Sequence, residues 1–183
     1  MVTRVVVVAD THVPKRAKGL PREVLAAVDG ADVVVHAGDW VDVATLDVLE
    51  GVSGRLIGVW GNNDGPELRA RLPEVAFAEV DGVRMAVVHE TGAAGGRERR
   101  MDARFRPDPA DASAPTLLVF GHSHIPWDTT TPHGLRLLNP GSPTDRRRQP
   151  FRTYLTAVAD DGELREVTLH RITSGLRKSG SCT

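Results

Sequence analysis

Blocks of apolar residues, not alternating ones, dominate the first third of the chain. Residues 4–9 (RVVVVA), 31–37 (ADVVVHA) and 55–60 (RLIGVW) are apolar runs rich in β-branched side chains, the pattern of strands covered on both faces. Between them, residues 20–28 carry Pro21 where a short helix can open. Residues 41–50 set Val41, Ala44, Leu46, Val48 and Leu49 on roughly one helical face, and residues 66–71 predict a further short helix. Strand and helix alternate, which predicts a layered α/β fold with crossover connections.

The second half has a different rhythm. Residues 75–80 and 83–88 flank Asp81-Gly82, a two-residue hairpin signal. Residues 116–120, 135–139, 152–159 and 163–171 read as further strands, the last two joined at Asp160-Asp161-Gly162. Residues 91–115 are rich in Gly, Ala, Arg and Pro and predict a long loop with one short helix near residues 98–104. No repeat and no linker divides the chain. We therefore expect one domain over residues 1–172 and a polar, mobile tail over residues 173–183.

Composition narrows the class. With 183 residues, 40% hydrophobic and 26% charged, the chain is long enough to bury a core without staples. Its formal charge of −1 provides no global attraction to nucleic acid or anionic lipid. Aromatic residues for base stacking are few, at 4%, so a nucleic-acid partner is not expected. The sole cysteine, Cys182, excludes a disulfide framework and a thiolate zinc cluster. The opening MVTRVVVVAD is too short for a signal-peptide core or a membrane span, and a cytoplasmic protein is expected.

Almost every apolar run ends in a polar knot. Asp10-Thr11-His12 follows the first, Gly38-Asp39 the second, Asn62-Asn63-Asp64 the third, His89 the fifth and His122-Ser123-His124 the sixth. In an open α/β sheet the C-terminal strand ends face one crevice where ligands bind, so parallel neighbours would gather Asp10, His12, Asp39, Asn62, His89, His122 and His124 in one place. Singly each is ordinary turn chemistry or an exposed histidine; their ordered recurrence at strand ends is the signal. Carboxylate, amide and imidazole donors without a thiolate suit Mn²⁺, Fe, Co²⁺, Ni²⁺ or Zn²⁺ better than Ca²⁺ or Mg²⁺ alone. Seven donors are too many for one tetrahedral ion and about right for two ions sharing a carboxylate. Such a site stays electropositive and attracts phosphate oxygens. His36 reads as a strand residue or a neighbour of the ligands, and His133 and His170 as surface residues.

Together, Asp10-Thr11-His12, Gly38-Asp39, Gly61-Asn62-Asn63-Asp64, His89 and Gly121-His122-Ser123-His124 resemble the calcineurin-like metallophosphoesterase superfamily. The short length and Asn139-Pro140-Gly141-Ser142 are similar to its small bacterial and archaeal phosphodiesterase branch. The resemblance implies a four-layer α/β/β/α sandwich. It implies one ion on Asp10, His12, Asp39 and His124 and a second on Asp39, Asn62, His89 and His122, with Asp39 bridging. The manganese ion is the first expectation for both. The implied activity is a phosphodiesterase in which a metal-bridging hydroxide attacks phosphorus in line, acting on a small phosphate ester. Serine-hydrolase, nucleotide-loop and dinucleotide fingerprints are absent from the sequence. The alternative is a scaffold of the same fold, as in the eukaryotic retromer subunit; a scaffold has no need of the full donor set. A homo-oligomer stays open.

Two departures stand out. The superfamily commonly has His where this chain has Asn63, and that His is assigned to help protonate the leaving oxygen with the following Asp, here Asp64, orienting it. An amide cannot act as a general acid, although its NH₂ can donate to a phosphoryl oxygen. Asn63 and Asp64 are therefore the expected catalytic pair, with Asn63 touching substrate. Next to His89 the chain has Glu90 where a small residue is common; it is expected to face solvent. Arg97, Arg99 and Arg100, and Arg146 to Arg148, form two basic runs after site loops. Arg97, Arg99 and Arg146 are the candidate phosphate-steering residues, against the commoner role of a solvated face. In the turn at 139–143, Asn139 and Ser142 could support the site.

Overall fold

The computed structural model describes residues 2–105 and 113–173; the rest of the expected tail, with Cys182, lies outside them. Two five-stranded sheets hold the chain. Strands β1 (Thr3–Val8), β2 (Val33–His36) and β3 (Leu56–Gly58) run parallel, joined by helices α1 (Arg22–Asp29) and α2 (Val43–Val52). After the short helix α3 (Pro66–Arg71), β4 (Val75–Val80) and β5 (Val83–Val88) start the second sheet as a hairpin. Helix α4 (Arg97–Phe105), β6 (Leu117–Val119), β7 (Trp127–Thr130) and β8 (Arg136–Asn139) complete it, with β5, β6 and β8 parallel and the sheet ordered β4-β5-β6-β8-β7. The chain then returns to the first sheet with β9 (Arg152–Asp160) and β10 (Glu163–Ile172), giving the order β10-β9-β1-β2-β3.

Alternation of side chains along each strand splits the apolar residues into three layers. Val5 and Val7 of β1 meet Met85 and Val87 of β5, Leu117 and Val119 of β6 and Leu138 of β8 between the sheets. Val6 and Val8 face the other way, against Val24 and Val28 of α1, Leu46 and Leu49 of α2 and Leu68 of α3. On the far side Ala86, Val88, Leu118 and Leu137 cover Met101 and Phe105 of α4. Helices on the outside and two sheets within make the four-layer α/β/β/α sandwich. The unbroken β-branched runs of β1 and β2 follow from this burial on both faces.

The expectation of one crevice along a single sheet needs correction. β1–β3 and the parallel trio β5, β6 and β8 belong to different sheets, and their C-terminal ends open at the same edge of the sandwich. At the opposite edge both hairpins turn through paired left-handed residues, Asp81 and Gly82 at φ 46° and 79° and Asp161 and Gly162 at φ 48° and 81°. A Cβ on Gly82 would lie 2.8 Å from the Gly162 nitrogen, so glycine lets the two turns touch. β7 has no clear local signal, because Pro126 and a run of threonines resemble a loop until β8 offers its hydrogen bonds. Val41, expected to open α2, stands outside it; Asp42 caps the helix by accepting the Ala44 N–H at 2.8 Å. Among the described residues no helix is long and apolar enough to cross a membrane.

One imidazole lies fully inside this framework. His36 ends β2, stacks on Trp40 with ring centroids 3.4 Å apart, and accepts the Gly38 N–H on Nδ1 at 3.2 Å. Because Nδ1 accepts, the neutral ring carries its proton on Nε2, which lies 3.1 Å from Thr11 Oγ1 and can donate to it. Burial, reinforced by the nearby His89, holds its pKa well below the ordinary 6.5. The unfolded chain then binds the proton first as pH falls, so the stability due to neutral His36 is present above about pH 6.5 and lost below it. Melting curves of metal-stripped protein should show the midpoint falling between about pH 7 and pH 5, with a shallower fall in His36→Gln despite its lower starting value. An unchanged slope in the variant would show that His36 carries no part of the acid sensitivity.

Candidate metal centre

The common edge of the two sheets collects the strand-end loops, and backbone hydrogen bonds knit them together. Asp10 N–H donates to Gly38 O at 2.9 Å, His12 N–H to Asp39 O at 3.0 Å and Gly121 N–H to His89 O at 3.0 Å. Asp10, His12, Asp39, His122 and His124 all adopt positive φ, between 44° and 68°. That conformation costs an L-residue roughly 1–2 kcal/mol, so the surrounding bonds must hold each one. Gly61 serves space, not bending: a Cβ there would stand 2.3 Å from Asp39 Oδ1.

These loops bring together all seven expected donors. His12 Nε2 and His124 Nε2 are 3.2 Å apart, and Asp10 Oδ1 lies 3.4 Å from the second and 3.9 Å from the first. Beside this cluster, Asn62 Oδ1 lies 2.9 Å from both His89 Nε2 and His122 Nδ1. Asp39 stands between: Oδ2 is 3.5 Å from His12 Nε2 and Oδ1 is 3.4 Å from His89 Nε2. Asp10, His12 and His124, and again Asp10, Asp39 and His89, are buried and have ligand atoms within 4.8 Å of one another. His122 and Asn62 are the more open members.

The donor set fits a pair of cations. Asp10 Oδ2 is buried and has no hydrogen-bond partner, a costly condition for a carboxylate oxygen unless a cation satisfies it. Burial lowers the pKa of His12, favouring the neutral imidazole that ligates metals. Burial also opposes charge on His89, yet its hydrogen bond to Asp39 and the charges of Asp10 and Asp39 leave it raised. Burial likewise opposes ionisation of Asp39, but hydrogen bonds from His89 and Asn63 hold it below the usual carboxylate range. Two adjacent buried His/Asp clusters thus form an arrangement consistent with a dinuclear metal site. His89 directs its other nitrogen, Nδ1, to the Ala37 carbonyl at 2.8 Å, and His124 Nδ1 to the Asp145 carbonyl at 2.5 Å, which leaves Nε2 of each facing the clusters.

Asp64 differs from its expected part, which was to orient the side chain of residue 63. The Asp64 carboxylate accepts N–H groups of Gly61 (2.7 Å), Val41 (2.7 Å) and Asp39 (3.1 Å), so it clamps the Asp39 loop and does not hold the Asn63 side chain. Asn63 closes on Asp39 from above, with its N–H 2.9 Å from Oδ1 and Nδ2 2.7 Å from Oδ2. Ser142 and Asn139 stand under the site: Ser142 Oγ donates to Asp10 O at 2.8 Å, and Asn139 Nδ2 to Gly121 O at 2.8 Å. Thr144 and Asp145 also support the site, although no local motif marks them. Thr144 Oγ1 donates to Thr11 O at 2.6 Å, and the only local hint of Asp145 was an acid heading a run of arginines.

The arginine expectations need a larger correction. Arg97 is 4% exposed; its guanidinium packs over the Phe120 and Trp127 rings and donates to Thr91 Oγ1 at 3.0 Å. It anchors α4 and does not sit on a rim. Arg99 is exposed on α4, lining a hollow of about 520 Å³ with Asp102 and His133, none of which is a candidate ligand. Arg100 Nη1 donates to Gly95 O at 2.6 Å and Nη2 to Thr91 O at 3.1 Å, tying down the loop before α4. Arg146 Nη1 turns to Gln149 O at 2.6 Å, whereas Arg147 reaches the His122 carbonyl at 3.2 Å. Glu90 is 57% exposed, as expected, with Oε1 3.9 Å from His122 Nε2.

Comparison with known proteins agrees with this geometry. A probable metallophosphoesterase of Methanocaldococcus jannaschii is 30% identical over 155 residues, 85% of this chain and 75% of that protein. A Thermotoga maritima protein solved by NMR is 34% identical with a TM-score of 0.71, covering 93% of this chain and 99% of that one. The fold is shared with Vps29 of Entamoeba histolytica, crystallised with Zn²⁺, at 20% identity and a TM-score of 0.70 over 92% of this chain and 98% of that one. The model of the calcineurin-like phosphoesterase superfamily domain matches residues 3–162, and the chain, with its two adjacent Asp/His clusters, belongs to that superfamily.

Proposed function

We propose that the chain is a phosphodiesterase that uses two divalent ions, Mn²⁺ first among them, to hydrolyse small phosphate esters. The observation that carries this reading is Asp39, whose two oxygens face His12 of one cluster and His89 of the other. Oxygen and imidazole donors with no thiolate support a hard to borderline ion. Bound there, the ions would supply an acidified water as nucleophile and positive charge for the phosphoryl oxygens.

The protein's own groups shape which ester is cleaved. The Asn63 amide lies on the Asp39 carboxylate and cannot give a proton to a departing oxygen. The loss of a general acid typically costs roughly 10²–10⁴-fold, and it is smallest for leaving groups that depart as stable anions. Beside the second cluster a small cavity of about 90 Å³, lined by Trp60, Asn62, Glu74, His89, Glu90 and Arg104, offers room for a compact substituent on phosphorus. Aryl phosphodiesters should therefore be good substrates and alkyl monoesters poor ones.

Metal analysis should find about two Mn²⁺ per reconstituted chain, about one in Asn62→Ala, and fewer than one in Asp39→Ala. Uptake should release protons and weaken as pH falls, because His89, with its raised pKa, must lose its proton to ligate. No metal with any ion, and no turnover of an aryl phosphodiester, would favour the scaffold alternative.

Across a series of aryl phosphodiesters, log kcat should fall steeply as leaving-group pKa rises. Asn63→His should flatten that dependence, raising rates chiefly for the poor leaving groups by about tenfold or more. A rate independent of leaving-group pKa in the unmodified protein would refute the assignment of Asn63.

A further inference from the structure

Next to the Asp10–His12–His124 cluster, two loops distant in sequence meet at one carboxylate. Asp145 Oδ2 lies 3.3 Å from Arg16 Nε, and Asp145 Oδ1 accepts the Arg147 N–H at 3.2 Å. The Asp145 carbonyl accepts from His124 Nδ1 at 2.5 Å. Arg147 Nη1 donates to the His122 carbonyl at 3.2 Å, and the Arg16 N–H donates to the His12 carbonyl at 2.8 Å. Both arginines are thus fixed to backbone that carries candidate ligands.

Three features distinguish this pair from a solvated basic face. The chain has a formal charge of −1, yet the two loops present Lys15, Arg16, Lys18, Arg146, Arg147 and Arg148, all exposed, around the single acid Asp145. Arg147 adopts φ 47°, a conformation that glycine or asparagine takes more easily, and the Asp145 carboxylate holds it there. Among the described residues, the side-chain contacts of Arg16 and Arg147 engage one N–H each, Nε and Nη1, of the five a guanidinium offers.

We propose that Arg16 and Arg147 form an anion subsite for a second phosphate of the substrate, beside the phosphoryl group that is hydrolysed. This rests on the phosphodiesterase reading and narrows it to small phosphodiesters that bear an additional phosphate. The planar forks of two arginines match phosphate oxygens, and their anchoring reduces the side-chain entropy lost on binding. Asp145 is the positioning residue: its carboxylate orients the Arg16 guanidinium and holds the Arg147 backbone, and its carbonyl accepts from His124.

Two chromogenic esters test the proposal: thymidine 5′-(4-nitrophenyl phosphate), and the same diester with a 3′-phosphate. They share the scissile bond and the leaving group. With Mn²⁺ and low salt, kcat/KM should favour the 3′-phosphorylated ester by about tenfold, the advantage shrinking as salt screens the charges. The ratio should approach one in Arg16→Ala/Arg147→Ala, stay partial in Arg147→Lys, and hold in the remote surface variant Arg165→Ala. Calorimetric titration with thymidine 3′,5′-bisphosphate and thymidine 5′-monophosphate gives a readout free of turnover: the bisphosphate should bind about tenfold tighter, and the double variant should lose that margin. If neither ester is cleaved with any metal, the phosphodiesterase reading fails while the titration still decides the subsite. Equal affinity for the two nucleotides in the unmodified protein overturns the subsite. So does an undiminished preference in a double variant that melts like the unmodified protein.

Discussion

The Asp39 carboxylate lies between two groups of imidazoles, and much of the nearby structure exists to keep it there. A carboxylate that is almost fully buried is unfavourable unless charge and hydrogen bonds compensate it. Here the compensation comes from His12 on one side, His89 on the other and the backbone and amide of Asn63. Asp64 holds the loop beneath by accepting three backbone N–H groups, and Gly61 vacates the space that Oδ1 occupies. The Asp10 oxygen left without a partner marks where this compensation is incomplete within the protein itself.

Rigid architecture makes such a placement affordable. Two sheets pack their apolar faces together and end at one edge, so loops from β1, β2, β3, β5 and β6 converge there. Five candidate ligands adopt left-handed backbone, which a flexible loop would relax away. The segment 142–147 ties the Asp10, His12, His122 and His124 loops from outside the sheets, through Ser142, Thr144, Asp145 and Arg147. The same segment also carries the exposed Arg146 and Arg147, and the exposed Arg148 follows it.

Within a common superfamily scaffold, individual positions tune the chemistry. At position 63 the chain carries an amide, whose Nδ2 donates to the shared Asp39 carboxylate at 2.7 Å. Arg97 and Arg147 show how two similar residues diverge. One is buried between two aromatic rings as an anchor for α4, and the other stands exposed at the mouth of the site.

By itself the sequence determined the strand and helix alternation, the Asp-Gly hairpins and the seven donors, because each depends on neighbours within a few residues. A β-branched run makes a buried strand, and the residues immediately after it fall at the strand end wherever that strand lies. Tertiary structure alone decided that the strands divide between two sheets, that β7 exists, that Asp64 clamps backbone, and that Arg147, of the two arginine runs, is the one that bonds the backbone of a candidate ligand. Those outcomes rest on partners far apart in the chain, such as Asp64 with Asp39, Arg97 with Trp127 and Arg16 with Asp145. Local pattern carries no term for such contacts, since only the packed fold sets the distance between them.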